Sequence, residues 1–171
     1  PNSAELLMSL SRPTAYKDAI VLCADNFSVD LCNREKLSDL PGNPNFYKAQ
    51  DDGSTAALRK IMAPRILAVK PHAPVMLLTN LDVPSGLVNG VRGHVVVCDP
   101  DKLRVQFDDK EISLKGVVFS TYDSRQKRVI ASREQFPVKL CYAMTIHKAQ
   151  GLEMDSIVVD ARHINTHHHT N

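Results

Sequence analysis

Tryptophan is absent from the 171 residues, and only four Tyr and five Phe occur. The interior must therefore be built from aliphatic side chains. No two of the four cysteines (Cys23, Cys32, Cys98 and Cys141) form a Cys-x-x-Cys pair, which argues against a zinc site. The thiols read as reduced groups of an intracellular protein. No run of eighteen apolar residues exists, so no membrane-spanning helix is expected. The opening "PNSAELLMSL" has neither a basic region nor a signal-peptide core, and it starts with Pro rather than Met, as a piece of a longer chain would. Neither charge sign dominates: the formal net charge is +2, which neither requires nor excludes a nucleic-acid partner. A G-x-x-x-x-G-K-[ST] phosphate loop is also missing.

What is present has an α/β pattern with an interruption. The apolar content of 43% is ordinary for a globular chain, and the length fits one domain or a domain with a small insertion. Residues 5–11 read as the end of a helix. "DAIVLCAD" (18–25) is a continuous apolar run closed by Asp25 and Asn26, the pattern of a buried parallel strand. "SVDLCNREKLSDL" (28–40) then has helical spacing through Val29, Leu31, Cys32, Leu37 and Leu40, with Ser28 or Asn26 as its cap. Residues 41–52, rich in Pro, Gly, Asn and Asp, read as a loop, and a short helix is expected before Pro64. From Pro74 to Pro137 five β-like runs alternate with the turn signals "VNGVRG" (88–93) and "DPDK" (99–102), which predicts a small antiparallel barrel. After Pro137 an apolar strand, a helical turn and a second buried strand follow. The expected order is α/β over 1–73, inserted barrel over 74–136 and α/β again over 137–171. The ending "ARHINTHHHTN" reads as a solvated tail.

The densest polar cluster is "TIHKAQGLE" (145–153), between two strand-like runs. At the carboxyl end of a parallel strand the chain turns into a helix whose first N–H groups lack partners and whose dipole is positive. Ligands bind in that crevice, and phosphate oxygens suit it. Thr145 supplies a hydroxyl, His147 a ring N–H and Lys148 a point charge. Gly151 permits close approach of backbone, and Glu153 can accept from a sugar hydroxyl. The plain alternative is structural: Thr145 caps the helix, Lys148 is solvated and Gly151 ends it.

The order of residues resembles motif V of superfamily 1 helicases, with its Thr-x-His-x-x-Gln-Gly core, and in particular the Pif/RecD-like branch of ATP-dependent DNA helicases. Two further blocks are similar in the same order. "AIVLCADNFSVDLCNREKL" resembles motif IV, where a strand leads to a polar turn and Val-Asp-x-x-Asn. "APVMLLTNLDVPSGLVNGVRGHVV" resembles the entry to an inserted Src-homology-3-like barrel. The resemblance spans most of residues 18–160. It implies the second RecA-like domain of a 5′-to-3′ helicase acting in DNA unwinding, repair, recombination and telomere maintenance.

In that reading Thr145, His147 and Asn26 contact the backbone of single-stranded DNA, Lys148 serves the strand or the nucleotide, and Arg92 reaches DNA from the barrel. Gln150, Gly151 and Glu153 face the nucleotide. ATP and Mg²⁺ bind chiefly to the first RecA-like domain of the same protein, and the DNA fork is the substrate. No catalytic residue and no metal ligand is assigned within these residues. An intracellular location follows, nuclear or mitochondrial in a eukaryote. Two departures stand out: Asp25-Asn26 replaces the Thr-Asn of many relatives, and Arg162 does not match the arginine of motif VI. The other readings are a helicase-derived DNA-binding module without ATPase activity, a mobile-element helicase, and a nucleotide-binding α/β domain with a regulatory barrel.

Overall fold

A computed structural model describes residues 19–149 and the backbone of strand 157–159. Along the chain these form β1 (Ile20–Cys23), α1 (Asn26–Asp39), β2 (Asn45–Lys48), β3 (Gln50–Gly53), α2 (Thr55–Leu58), β4 (Ile66–Val69), β5 (Pro74–Leu77), β6 (Arg92–Asp99), β7 (Lys102–Phe107), β8 (Lys110–Ser113), β9 (Val117–Asp123), β10 (Arg128–Gln135), β11 (Val138–Leu140), β12 (Ala143–Thr145), α3 (Ile146–Ala149) and β13 (Ile157–Val159). Two compact units result. One holds the described residues of 1–38 and 141–171, the other Asp39–Leu140. No helix among the described residues is long and apolar enough to cross a membrane.

The first unit is a parallel sheet in the order β12-β1-β13. All four residues of β1 are buried, as a strand flanked on both edges and covered on its faces requires. Val21, Leu22 and Cys23 pair with Ala143, Met144 and Thr145, and Ile20, Val21 and Leu22 with Ile157, Val158 and Val159. Helix α1 lays Ser28, Cys32, Asn33 and Leu37 inward, and Cys32 packs with Val21, Cys23 and Ala143. This stripe differs from the expected one at Leu31, which is exposed because it lies off the line through positions 28, 32 and 37. The cap also differs. Asp25, one residue before the helix, accepts the Ser28 N–H on Oδ1 at 2.7 Å, so Asn26 and Ser28 are residues of the first turn and not its cap.

The second unit is antiparallel. A five-stranded sheet runs β11-β5-β6-β7-β8, a three-stranded one β3-β10-β9, and β2 pairs with β4. On β7 the inward residues Leu103, Val105 and Phe107 alternate with polar ones. They form a core with Val75 and Leu77 of β5, Val95 of β6 and Val138 of β11, all buried, each worth roughly 1.5–3 kcal/mol. All four cysteines are buried and make no disulfide.

The unit begins well before Pro74, where the sequence reading set the edge of the insertion. The expected loop 41–52 contains β2 and β3, and β3 pairs antiparallel with β10 from Gln50↔Glu134 to Gly53↔Ala131. Tyr47 on β2 is buried, and its hydroxyl reaches the carbonyls of Asp99 and Lys102 at 2.6 and 3.0 Å. Burial, with Cys98, Asp99 and Asp101 nearby, pushes this phenol up to about 12. The helix expected before Pro64 is the single turn α2, capped by the Ser54 hydroxyl. One of the five expected β-like runs, "KEISLKGVVFST" (110–121), divides into β8 and β9. Gly53 has φ +97°, and a Cβ there would overlap the Ile130 carbonyl oxygen, at a bulge between Val129 and Ala131 of β10.

Arg133 of β10 holds these strands together. Its Nε and Nη2 donate to the Asp51 carboxylate at 2.7 and 2.9 Å, and Nη1 donates to the Ala63 carbonyl at 2.8 Å. The hydrogen bond from Arg133, aided by the charges of Arg133 and Arg65 and opposed by burial, lowers the Asp51 carboxyl below its ordinary value. A carboxyl lowered in the folded state adds stability above its unfolded value, about 3.9, and loses it as pH falls through the folded value. Asp51→Asn is therefore expected to melt below the wild type at pH 7, with the gap beginning to narrow as pH falls below about 4. Thermal melts at pH 7 and pH 3 test this, and a gap that does not narrow between the two would contradict it.

Candidate functional site

The described sequence-predicted site residues of the first unit, Asn26, Thr145, His147 and Lys148, lie at the carboxyl ends of β1 and β12. The register Cys23↔Thr145 sets the ends of β1 and β12 side by side, about 4.8 Å apart. Beyond Cys23 the chain passes through Ala24 and Asp25 into α1 at Asn26, which is exposed. Beyond Thr145 it passes directly into α3, whose His147 and Lys148 are both exposed. The structure thus brings Asn26 and the Thr145–Lys148 segment to one rim, although more than a hundred residues separate them in sequence.

Thr145 does what a cap does. Its Oγ1 accepts the Lys148 N–H at 3.3 Å, which leaves the hydroxyl proton available to donate. The structural reading of this threonine therefore holds, and it is compatible with a ligand at the same place. The acidic departure at Asp25 also has an explanation. Its carboxylate is engaged by the first turn of α1, which satisfies an N–H that would otherwise lack a partner.

One residue escaped the sequence reading. Asn33 is buried, with 8% of its surface exposed. Its Oδ1 accepts the backbone N–H groups of both Tyr142 and Ala143 at 3.0 Å. Val21 N–H donates to the Tyr142 carbonyl at 2.9 Å, so the chain entering β12 is held from the helix and from the central strand. The available signal was the asparagine in mid-helix, where its propensity is poor, at the end of the Val29-Asp30-x-x-Asn33 run.

Arg92 lies in the other compact unit, half-buried as the first residue of β6 and opposite Met76. The Asn89-Gly90 turn before it is built as such signals require. Gly90 has φ +97°, Asn89 N–H donates to Asn80 Oδ1 at 2.8 Å, and Gly90 N–H donates to the Leu77 carbonyl at 2.8 Å. Gln150, Gly151 and Glu153 lie outside the described residues. Among the described residues no group of three His, Cys, Asp or Glu could hold a metal ion.

Comparison with known proteins gives a consistent result. Residues 58–97 match the family model of the DNA helicase Pif1 2B domain. The ATP-dependent DNA helicase PIF1 of Danio rerio is 36% identical over 171 aligned residues, covering 92% of this chain and 26% of that protein. The chain thus spans about a quarter of the length of that curated relative. The crystal structure of the Pif1 helicase from Candida albicans superposes with a TM-score of 0.79 at 28% identity, over 96% of this chain and 45% of that one. A Bacteroides Pif1 bound to single-stranded DNA superposes with a TM-score of 0.73 at 27% identity, over 93% and 38%.

Proposed function

We infer the role of this chain from its place among the Pif1 DNA helicases, with which it belongs in sequence and in fold: it is the second RecA-like portion of an ATP-dependent 5′-to-3′ DNA helicase. Residues 39–140 correspond to its Src-homology-3-like insertion. The observation that carries the reading is the Cys23↔Thr145 register, which puts the Asn26 turn and the Thr145–Lys148 turn on one rim.

Thr145 and His147 donate to phosphates of a single strand, and Asn26 holds the same strand from the neighbouring turn. Lys148 adds a charge that serves strand or nucleotide. Arg92 contacts DNA from the inserted unit. Gln150, Gly151 and Glu153 complete one wall of the ATP site by resemblance. The phosphate loop and the acidic group that binds Mg²⁺ belong to the first RecA-like domain, and Mg²⁺ there offsets charge on the ATP phosphates. Contacts to backbone rather than to base edges allow movement without sequence preference. The two domains grip the strand with different strength before and after hydrolysis, and that difference in affinity converts ATP turnover into movement. Such an enzyme works inside the cell on forked DNA, in repair, recombination and telomere maintenance.

The test is made on the full-length protein. Single-stranded DNA is expected to raise its ATP turnover, and a duplex with a 5′ single-stranded tail to be unwound in preference to one with a 3′ tail. Strand binding without ATP turnover would favour a helicase-derived binding module instead, and nucleotide binding with no response to DNA would overturn both.

A further inference from the structure

The proposed phosphate-facing groups share their rim with apolar surface that the described residues leave exposed. Phe27, the second residue of α1, is 74% exposed, and Ile146, the first residue of α3, is 41% exposed. In a chain with nine aromatic residues, a phenylalanine left in water is a large unburied surface. The inward stripe of α1 runs through Ser28, Cys32, Asn33 and Leu37, and Phe27 is absent from the cluster that α1 forms with β1 and β12. Among the described residues, nothing in the packing of this unit calls for a ring at position 27.

Its position is informative. Phe27 directly follows Asn26 at the carboxyl end of β1, beside the end of β12 that carries Thr145. Polar and cationic groups that track a backbone, interleaved with an aromatic face, form the arrangement on which an unpaired base stacks, because every base has a π-face. Planar hydrocarbon at 74% exposure gains from such a partner what it lacks from the core.

We propose that Phe27 stacks on an unpaired base of the single strand whose phosphates Asn26, Thr145 and His147 hold. The inference rests on the strand-binding reading above and adds a base-contacting residue to it. The stack tolerates any base, so it strengthens the grip without imposing sequence preference.

The experiment measures binding of the full-length protein to oligodeoxythymidine and to an abasic strand of the same length. Phe27→Ala is expected to weaken binding to oligodeoxythymidine roughly tenfold and to leave binding to the abasic strand as in the wild type. Phe27→Trp is expected to retain the wild-type affinity for both. Because the side chain is exposed, both variants are expected to melt with the wild type. His147→Ala serves as the phosphate control and is expected to weaken both strands alike. If Phe27→Ala binds oligodeoxythymidine like the wild type, or weakens both strands equally, or if Phe27→Trp behaves as alanine does, stacking is overturned while the His147 result keeps the phosphate reading. If neither Phe27→Ala nor His147→Ala changes either affinity, the strand-binding reading has failed and the stack falls with it.

Discussion

Asn33→Leu is expected to lower stability by about 3 kcal/mol, because each buried N–H left without an acceptor costs roughly 1–3 kcal/mol and the Tyr142 and Ala143 N–H groups share this one oxygen. Leucine keeps the branch at Cγ and the heavy-atom count of asparagine but is bulkier, so the loss combines the missing acceptor with some overpacking. The urea midpoint should fall with the slope of the transition unchanged. Asn33→Asp keeps the acceptor but places a charge where only 8% of the residue is exposed, so it should recover part of the loss and no more. The effect extends to the rim, since the strand that Asn33 holds ends at Thr145. Single-strand affinity should drop with stability in Asn33→Leu. A variant that melts with the wild type would show that Asn33 does not hold β12.

The second large effect is functional. In the full-length protein, His147→Ala is expected to weaken single-strand binding and to cut DNA-stimulated ATP turnover about tenfold or more, the scale set by a charge-assisted hydrogen bond of roughly 1.5–3 kcal/mol. His147 is exposed, so the fold should survive, and a melting temperature equal to the wild type separates lost contact from lost structure. Lys148→Ala offers a comparison. If its charge meets a phosphate, the salt dependence of strand binding should become shallower by about one released counterion. An unchanged affinity and an unchanged turnover in His147→Ala would remove the motif V assignment.

These two residues differ in how far the sequence reveals them. His147 stands in an ordered polar motif, and the apolar runs on either side announce a strand end. β1 was equally plain, since a run of four buried apolar residues closed by Asp25 and Asn26 has few other interpretations. Asn33 was hidden because its role depends on β12, which lies 110 positions away. The loop expected over 41–52 failed for a related reason. All four residues of β3 are exposed, so no alternation marks the strand; its place comes from backbone pairing to β10 and from Arg133, which cannot be read locally. Asp25 departs from the Thr-Asn of many relatives and puts a carboxylate where a phosphate is expected. Its carboxylate turns out to be taken by the helix that follows, a detail that residue counting does not resolve.

The separation between β1 and its partners has a kinetic consequence. When β1 and α1 leave the ribosome, both neighbours of β1 are still unmade, and the acceptor on Asn33 has no backbone to receive. The intervening residues 39–140 form sheets of their own and shorten the span that must be closed. The entropy of closing a long loop grows only as the logarithm of its length, so the detour is tolerated thermodynamically, yet pairings so distant in sequence slow the search. The rim is therefore among the last features to mature. In the proposed reading, the contribution of this domain to gripping a strand waits until residue 145 has docked beside residue 23.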